Sequence, residues 1–458
     1  MKIRLTRFFD IFFVSVAILL ASAGSQAQPA DTTVEGVLQI VWGDPHPEFG
    51  LGGATLYSIA LLDGTTLPLE LTGQESVAAH YFAKRVAVSG RTVPNQSATT
   101  FTSNPRAMIV DTITLSQAPQ YQAAPTSVIG TRKVIYLLLK FPDDAAVPHP
   151  PTFYVNLNNP DTPPAGEVFP ATINGFFKKT SWNQFSWLGD VGGLGGIGAP
   201  GGWLTLPQPK SYYAPCGFGA ACAGANLRTL GDDGTALGRA QGIDFKNYDN
   251  INFVLSNDLD CCAWGGGYYN SIDAKAYGAT WEPPWGQEAA TYAHEMGHSL
   301  GLPHSGWVYY AYDSPWDVMS SITSASTVVC GSYVSINSGT SRSMSCMEPG
   351  DGYIAANKSV LGWIPPANEV ATSTGSALTL TLEADALPLS SAAKVIKICI
   401  TGSSCTGSTA HYFTVEARVK GLGALSQYDN GVPGEGIIIH EFQGDRPAIG
   451  GTCLLVWG

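Results

Sequence analysis

The segment His294-Glu-Met-Gly-His298-Ser-Leu-Gly301-Leu-Pro-His304 constrains the local fold of this chain more than any other feature. Only eight histidines occur among its 458 residues, and three of them lie in this segment. Side chains four residues apart on a helix share one face at about 5–6 Å, so His294 and His298 can bind one ion. Gly301 can take a positive φ, which ends the helix and turns the chain so that His304 becomes a third ligand. The segment therefore predicts a helix, a sharp turn and a three-histidine metal site.

These residue types indicate a catalytic zinc ion. Three neutral imidazoles that leave a fourth position open are typical of catalytic zinc sites, whereas structural sites are closed. Glu295 is expected to lie beside the metal as the base for a zinc-bound water, whose pKa falls to about 7. A helix with incidental histidines would match this pattern only on the order of 10⁻⁵ times per chain. We therefore predict a hydrolase with one catalytic Zn²⁺ held by His294, His298 and His304.

The motif resembles that of the metzincin metallopeptidases, zinc enzymes that also carry a methionine in a tight turn below the metal. The segment Ser314-Pro-Trp-Asp-Val-Met319-Ser320 is the best fit to that turn. Ser305, after the third ligand, and the segments 261–265 (Cys-Cys-Ala-Trp-Gly) and 361–365 (Leu-Gly-Trp-Ile-Pro) are similar to gametolysin-type peptidases. Some metzincins have a tyrosine two residues after the methionine, and Ser321 stands at that position here. An oxyanion-stabilising residue is therefore not identified from the sequence.

Two later segments, Tyr412–Arg418 and Pro433–His440, look like the part that follows the catalytic domain in immune-inhibitor-A-type bacterial peptidases. Those peptidases usually have aspartate as the third ligand, whereas this chain has His304, which favours the gametolysin-like branch. The resemblance implies a zinc metalloendopeptidase that cleaves extracellular proteins or peptides. We expect the substrate to lie extended along an edge strand upstream of the helix, within Ala274–Trp281.

Two other functions remain open from the sequence. One is an extracellular carbohydrate- or surface-binding adhesin with a secondary peptidase domain, which the β-rich flanks permit and the intact Glu295 disfavours. The other is a zinc hydrolase that acts on a non-peptide amide, which the motif alone does not distinguish from a peptidase.

The chain divides into four segments by composition and periodicity. Residues 1–27 read as a signal peptide, and 28–127 hold about five short alternating runs, which predict an all-β, barrel-like module. Residues 128–367 are expected to form an α+β, metzincin-like catalytic domain with a mixed twisted sheet, a long active-site helix, the Met-turn and a C-terminal helix. Residues 368–458 predict a C-terminal β-sandwich, whose end we expect to be truncated. The two helices are predicted at Gly286–Leu300 and Gly352–Leu361.

The first residues have the features of an export signal. Lys2, Arg4 and Arg7 precede the apolar run Ile11–Ala21, and Ser25-Gln-Ala27 offers small residues at a cleavage site. A membrane anchor would need about 20 apolar residues, more than this run has. We therefore expect a secreted, extracellular protein that has no membrane contact after cleavage of the signal.

The charge balance limits the partners. Lys and Arg number 24 against 36 Asp and Glu, a net charge of −12, and no basic patch occurs. Nucleic-acid binding through phosphate neutralisation is thereby excluded. Asp143-Asp144 and Asp232-Asp233 could ligate calcium, but without an EF-hand-type loop solvated carboxylates are the simpler interpretation. Protein or peptide substrates are the expected partners, and the oligomeric state is left open.

All nine cysteines lie beyond residue 215, and their number fits an oxidising compartment. Close spacing predicts loop-closing bridges 216–222, 330–346 and 399–405, whereas the partners of Cys261 and Cys262 stay open. An odd count leaves one thiol over.

The lack of cysteine between Gln28 and Pro215 also limits how the N-terminal module could inhibit the enzyme. The module cannot place a thiolate on the zinc. Inhibition would therefore need bulk, or an oxygen or imidazole ligand such as Asp44, His46 or His80. An accessory role in folding or binding is the equal alternative.

Overall fold

The computed structural model describes residues 32–49, 53–95, 104–116, 128–192, 202–215, 217–219, 224–306, 312, 314–320, 322–400, 402–407, 409–444 and 452–456. The predicted signal peptide, Cys216, Cys222 and Ser321 lie outside these residues, as does the side chain of Cys453.

The five N-terminal strands form a closed ring of paired strands. They are β1 (Thr32–Pro45), β2 (Ala54–Leu61), β3 (Thr66–Glu70), β4 (Arg85–Pro94) and β5 (Arg106–Leu115), with helix α1 (Glu75–His80) before β4. Strand β1 pairs with both β2 and β4, so the pairing order β1-β2-β3-β5-β4 returns to β1. Alternate side chains of β4, Val86 and Val88, point into an apolar core with Leu38, Ile40 and Met108. The period-two alternation of the sequence thus buries one face of these strands.

The central part of the chain forms a mostly parallel sheet with helices. Its elements are β6 (Gly130–Lys140), α2 (Pro151–Asn158), α3 (Ile173–Thr180), β7 (Phe185–Val191), β8 (Leu204–Thr205), α4 (Lys210–Tyr213), α5 (Leu227–Ala240), β9 (Asn250–Leu255), β10 (Cys262–Asn270), β11 (Lys275–Glu282) and α6 (Ala289–Ser299). Strands β11, β9, β6 and β7 are parallel neighbours, and β10 runs antiparallel beside β11. The run 134–139 of β6 is fully buried, as expected for a parallel strand that is covered on both faces.

Strand β1 joins these two parts. Its last five residues, 41–45, pair antiparallel with residues 262–266 of β10. The described strands β1 to β11 therefore form a single eleven-stranded sheet, and residues 31–458 make up one compact unit. Strand β11 lies between β10 and β9, so the expectation that 274–281 forms an edge is wrong. Periodicity shows that a segment is a strand, but it cannot show on which sides the strand has neighbours.

Two helices lie close to their expected positions. The helix expected over 286–300 is α6, and that expected over 352–361 is α7, which spans Ala355–Leu361. Gly362 ends α7 in the left-handed conformation with a φ of 74°, the usual role of a glycine after a helix. A hairpin of β12 (Ser324–Val334) and β13 (Ser341–Pro349) lies between them in the chain. No helix in the described part of the chain is both long and apolar enough to cross a membrane.

The last strands form one sheet. They are β14 (Glu369–Ser373), β15 (Val395–Cys399), β16 (His411–Arg418), β17 (Gly436–Gln443) and β18 (Thr452–Val456), paired in chain order. The expected β-sandwich would need a second sheet facing this one. Within the described residues, Ile438 of β17 instead shares a buried cluster with Ile354 and Ala356 at the start of α7. Alternation in the sequence thus indicates the strands but not the layer that covers them.

Buried polar contacts connect α7 with this sheet and its loops, and the Ala355 N–H at the start of α7 donates to the Glu416 carboxylate of β16 at 3.1 Å. The Lys358 ammonium of α7 donates to both oxygens of Asp385, at 2.6 and 2.7 Å. On β16, the buried Arg418 guanidinium donates to Asp429 at 2.9 and 2.5 Å. Removing one partner of such a pair leaves an unpaired buried charge, which typically costs about 3–5 kcal/mol. The C-terminal sheet and α7 are therefore expected to unfold together.

His440 on β17 is expected to make stability fall in mild acid. Burial, together with the charge of Arg418, lowers the pKa of His440 to about 3, whereas an unfolded histidine has a pKa of about 6.5. The unfolded chain therefore binds one more proton below pH 6.5, so this stability is complete above that pH and is lost as the pH falls. The loss reaches about 2 kcal/mol of the free energy of unfolding between pH 6.5 and 5. His440→Leu should lack it, as measured by urea unfolding at both pH values.

The control for this experiment is His411→Leu. His411 lies on the neighbouring strand β16 and is only partly buried. A pH dependence that is the same in wild type and His440→Leu would contradict the assignment to His440.

The disulfides agree with the spacing where the structure describes them. Bridges 330–346 and 399–405 are formed. Cys261 and Cys262 are bonded to each other, a pairing that the sequence left open. This bond leaves neither sulfur as a thiolate, so Asp260 and these two cysteines do not make a metal site although they lie close together. The expected 216–222 bridge lies outside the described residues.

Candidate metal centre

Helix α6 lies in the interior and carries His294, Glu295 and His298. All of its residues are buried, and it packs against β10, β11, β13 and α3. At its start, the Glu288 carboxylate accepts hydrogen bonds from the Thr291 N–H at 3.2 Å and the Thr291 hydroxyl at 2.7 Å. These bonds satisfy a backbone donor of the first turn. The packing around the helix therefore determines where its three polar side chains point.

The chain reverses directly after α6. Gly301 takes a φ of 94°, and its N–H donates to the His298 carbonyl at 2.8 Å, while the Leu302 N–H donates to the Gly297 carbonyl at 3.1 Å. A residue with a side chain would be strained at this φ, so the glycine permits the turn. The turn brings His304 back beside His298.

The three histidine rings converge through their Nε2 atoms. Nε2 of His298 lies 3.0 Å from that of His294 and 3.2 Å from that of His304. Nδ1 of His294 donates to the Val318 carbonyl at 2.5 Å, and Nδ1 of His298 donates to the Leu302 carbonyl at 2.6 Å. Because a carbonyl can only accept, these bonds place a proton on each Nδ1 and leave the Nε2 lone pairs free to ligate.

Asp44, near the end of β1, completes the cluster. Its Oδ1 lies 2.9 Å from Nε2 of His304 and 3.2 Å from Nε2 of His294, and its Oδ2 lies 3.4 Å from Nε2 of His298. The Tyr312 hydroxyl donates to the same Oδ1 at 2.6 Å. Burial raises the pKa of the Asp44 carboxyl, whereas positive charge at His294 and His304 would hold it well below its ordinary value, and a bound cation would supply that charge while the rings stay neutral. Asp44 is therefore an anion that faces all three rings.

This donor set fits a divalent cation. One ligand atom from each of the four buried residues lies within 4.8 Å of all the others. The Nε2 lone pairs of His294 and His298 and the Asp44 carboxylate repel one another at such distances unless a cation lies between them. Burial also lowers the pKa of His298 to about 3, so this ring is neutral at pH 7, as a ligand must be. Imidazole nitrogen and carboxylate oxygen are typical ligands of zinc and related metals.

Glu295 lies beside the cluster. Its side chain is fully buried, and within the described part of the chain neither of its carboxylate oxygens accepts a hydrogen bond from a donor group, although the Asp44 carboxyl lies within hydrogen-bond reach of it. Burial raises the pKa of Glu295 well above its ordinary value, and the Asp44 and Glu282 carboxylates raise it further. Burying a carboxyl without a partner costs folding free energy, and such perturbed groups are concentrated at functional sites.

Strand β10 passes so close to Glu295 that only glycine fits at position 265. A Cβ at Gly265 would overlap the backbone oxygen of Glu295 and would lie 2.8 Å from its Oε2. Gly265→Ala should therefore lower the free energy of unfolding by about 1–3 kcal/mol, although alanine normally stabilises a strand relative to glycine. Urea unfolding measures the change. Gly434→Ala is the control because a Cβ there would meet nothing within 4 Å, and an equal effect in both variants would contradict the close approach.

The turn that contains Met319 lies next to the histidine cluster. Met319 is fully buried, and its carbonyl accepts a hydrogen bond from the Ser305 N–H at 2.9 Å. The Asp317 carboxylate accepts from the Ser305 hydroxyl and from the Asn357 side-chain amide of α7. The turn therefore connects the His304 segment to α7, and its Val318 carbonyl orients His294.

An open space lies next to these ligands. A cavity of about 500 Å³ opens beside His294. Its lining includes Asp44, Pro45, His46, Trp285, Ile322 and Met347. The end of β1 and the residue that follows it thus form part of the wall next to the histidines.

Comparison with protein families connects this geometry to known proteins. The model of the gametolysin peptidase M11 family matches residues 212–446, just over half of the chain. The chain belongs to this family. A comparison with curated proteins finds no match. Membership makes the chain a metallopeptidase, whose substrates are proteins or peptides, and the His–Asp cluster offers ligands for its metal.

The gametolysin-family match contains α6, His304 and Met319, whereas strand β1 with Asp44 lies outside it. The sequence pointed to Asp44 only as one of three candidate ligands, because nothing in its neighbourhood distinguishes it from His46 and His80. Sequence reasoning missed Glu282 and Glu288 altogether. The position of Glu288 directly before the helix is the one local signal that could have revealed it as a cap.

None of the other five histidines of this gametolysin-family chain joins the cluster in the part that the structure describes. His46 lies against Trp285, with 4.9 Å between ring centroids, and His149 stacks on Phe153 at 3.6 Å. The aspartate pairs considered for calcium have protein donors: Lys210 N–H for Asp143, Ser256 for Asp144, Arg228 and Tyr268 for Asp232, and Tyr213 for Asp233.

Proposed function

We propose that the chain is a secreted zinc endopeptidase of the metzincin type, which hydrolyses peptide bonds in extracellular proteins. The observation that carries the proposal is the convergence of the Nε2 atoms of His294, His298 and His304 beside the buried carboxyl of Glu295, which accepts no hydrogen bond from a donor group in the described residues. A structural metal site would need the ligands but would have no use for this buried carboxyl.

Each residue has a separate task in the proposed reaction. His294, His298 and His304 would hold the zinc, and the carbonyls of Val318 and Leu302 keep two of the rings in the ligating tautomer. When bound, zinc supplies positive charge that polarises the scissile carbonyl and acidifies water. The Glu295 carboxylate would accept a proton from the attacking water and deliver it to the leaving amide nitrogen.

The surroundings of Glu295 suit this proton transfer. No donor in the described residues competes for its oxygens, so the carboxylate is free to accept a proton from water. The acid that results can then protonate the leaving amine.

Other features support the finer assignment. The buried turn with Met319 and the antiparallel strand β10 beside parallel strands agree with the metzincin resemblance. We place an extended substrate along residues 262–266 of β10, next to Glu295 and on the side where β1 pairs in this structure, in place of the inner strand at 274–281. The disulfides and the signal-like N-terminus support secretion, and the segments 412–418 and 433–440 keep their similarity to immune-inhibitor-A-type peptidases.

The test is casein cleavage by the zinc-loaded full chain with and without 1,10-phenanthroline. The Asp44 carboxylate faces the three histidines and could block access to the metal, so Asp44→Asn should be assayed beside the wild type. We expect cleavage that the chelator abolishes and added zinc restores. Absence of cleavage by both zinc-loaded proteins would contradict an endopeptidase, and cleavage that is insensitive to the chelator would contradict the metal mechanism.

A further inference from the structure

Strand β1 lies on the edge of β10 that the proposed function assigns to the substrate. Residues 41–45 of β1 pair with residues 262–266 of β10 in antiparallel register, with Trp42 opposite Gly265 and Asp44 opposite Ala263. Gly265 is the residue of β10 that touches Glu295. A peptide could not pair with this part of β10 while β1 is there, because each edge of a strand pairs with one neighbour.

Asp44 reaches the position that a fourth ligand would take. Its carboxylate oxygens lie 2.9 to 3.4 Å from the three Nε2 atoms, and the Tyr312 hydroxyl donates a hydrogen bond to Oδ1 at 2.6 Å. The charged or titratable neighbours of this carboxylate are the three histidines, the Tyr312 hydroxyl and the acids Glu282 and Glu295. Since two of the histidines donate their Nδ1 protons to carbonyls, they turn lone pairs, not protons, toward Asp44.

We propose that Asp44 is the fourth metal ligand of the full chain and that β1 occupies the place of the substrate strand. The inference rests on the proposed function, because it takes the three histidines as metal ligands. The carboxylate and the strand act together: Asp44 fills the coordination position that substrate and water need, and residues 41–45 fill the β10 edge. The active site is closed until the end of β1 moves away.

A metal site that stayed permanently closed would give the buried Glu295 carboxyl no function. Both of its oxygens are buried and accept no hydrogen bond from a donor group of the described residues, and the nearby Asp44 and Glu282 are themselves acids, a cost that a purely structural four-ligand site would have no reason to keep. The closed arrangement is therefore one of two states of the site, and the other exposes the metal, Glu295 and the edge of β10 together.

The experiment compares acetohydroxamate binding to zinc-loaded full-length wild type and Asp44→Asn. This small metal ligand must displace Asp44 in order to bind. Asparagine keeps the size of the side chain but removes its charge, so we expect at least tenfold tighter binding by isothermal titration calorimetry. Asp111→Asn, an exposed aspartate of β5 in the same module, should match the wild type. Equal affinities of wild type and Asp44→Asn would overturn the proposal.

A milder variant keeps the test valid if Asp44→Asn folds poorly. Tyr312→Phe leaves the carboxylate in place but removes the hydrogen bond that holds it. We expect at least threefold tighter acetohydroxamate binding than in the wild type. An unchanged affinity of Tyr312→Phe would also count against Asp44 as a ligand that must be displaced.

Casein cleavage by the same proteins separates this inference from the proposed function. We expect Asp44→Asn to cleave at least tenfold faster than the wild type without any processing. If acetohydroxamate binds more tightly but neither protein cleaves, Asp44 remains a ligand and the peptidase assignment fails. If the two proteins bind and cleave equally, the peptidase assignment stands and Asp44 is not a ligand.

Discussion

Replacing Glu295 with glutamine is expected to lower casein turnover by about 10²- to 10⁴-fold, the usual contribution of a general base. Glutamine has nearly the same shape as glutamate, but its amide cannot accept a proton from water. The three histidines and their carbonyl partners are untouched by the change, so the zinc content should stay at that of the parent protein. The loss should therefore appear in kcat while metal analysis shows no difference.

The comparison is best made in the Asp44→Asn protein, in which the site is expected to be open. Glu70→Gln, at an exposed residue of β3, is the matched control and should retain full turnover. If the Glu295→Gln protein kept its rate within tenfold of the parent, Glu295 would not be the base. If it lost its zinc as well, Glu295 would be needed for the metal site and not for proton transfer alone.

His304→Ala should lower the zinc content of the protein, whereas Glu295→Gln should leave it unchanged. His304 lies on the turn after α6 and not on the helix itself, so its loss leaves two imidazoles four residues apart and the Asp44 carboxylate. Removing a residue that merely supports a ligand typically weakens metal binding by about 10- to 100-fold, and loss of a direct ligand is expected to exceed about 100-fold. Competition against a zinc chelator gives the affinity, and casein cleavage should fall in parallel.

His46→Ala is the control for this variant. His46 lies two residues after Asp44 and lines the same cavity, but it is not in the four-residue cluster. We expect its zinc affinity to equal that of the wild type. A His304→Ala protein that held zinc as tightly as His46→Ala would show that His304 is not a ligand.

The sequence predicts those ligands of the metal centre that lie close together in the chain. His294 and His298 are one helical turn apart, and Gly301 returns the chain within six residues to His304. Spacing alone carries this information, because helix geometry relates positions to faces. Asp44 reaches the same point from the other end of the chain through the pairing of β1 with β10, and no local pattern encodes such a contact.

Contacts between residues distant in sequence also explain why the sequence misassigned the edge strand and the C-terminal sandwich. The strand at 274–281 is real, but whether it is an edge depends on β9 and β10, which lie elsewhere in the sequence. The last five strands likewise alternate as a sandwich would, yet α7 contributes residues to the cover of Ile438. Alternation reports that one face of a strand is buried and does not report what buries it.

The pairing between β1 and β10 also bears on the order in which the chain folds. Strand β1 is synthesised early, while β10 follows more than two hundred residues later, and contacts so distant in sequence form slowly. A catalytic sheet that folded without β1 would leave the backbone N–H and C=O groups along 262–266 unpaired, and an unpaired strand edge is a template for aggregation. Because β1 belongs to the same chain, residues 41–45 cover a strand edge that would otherwise be open to pairing with another molecule.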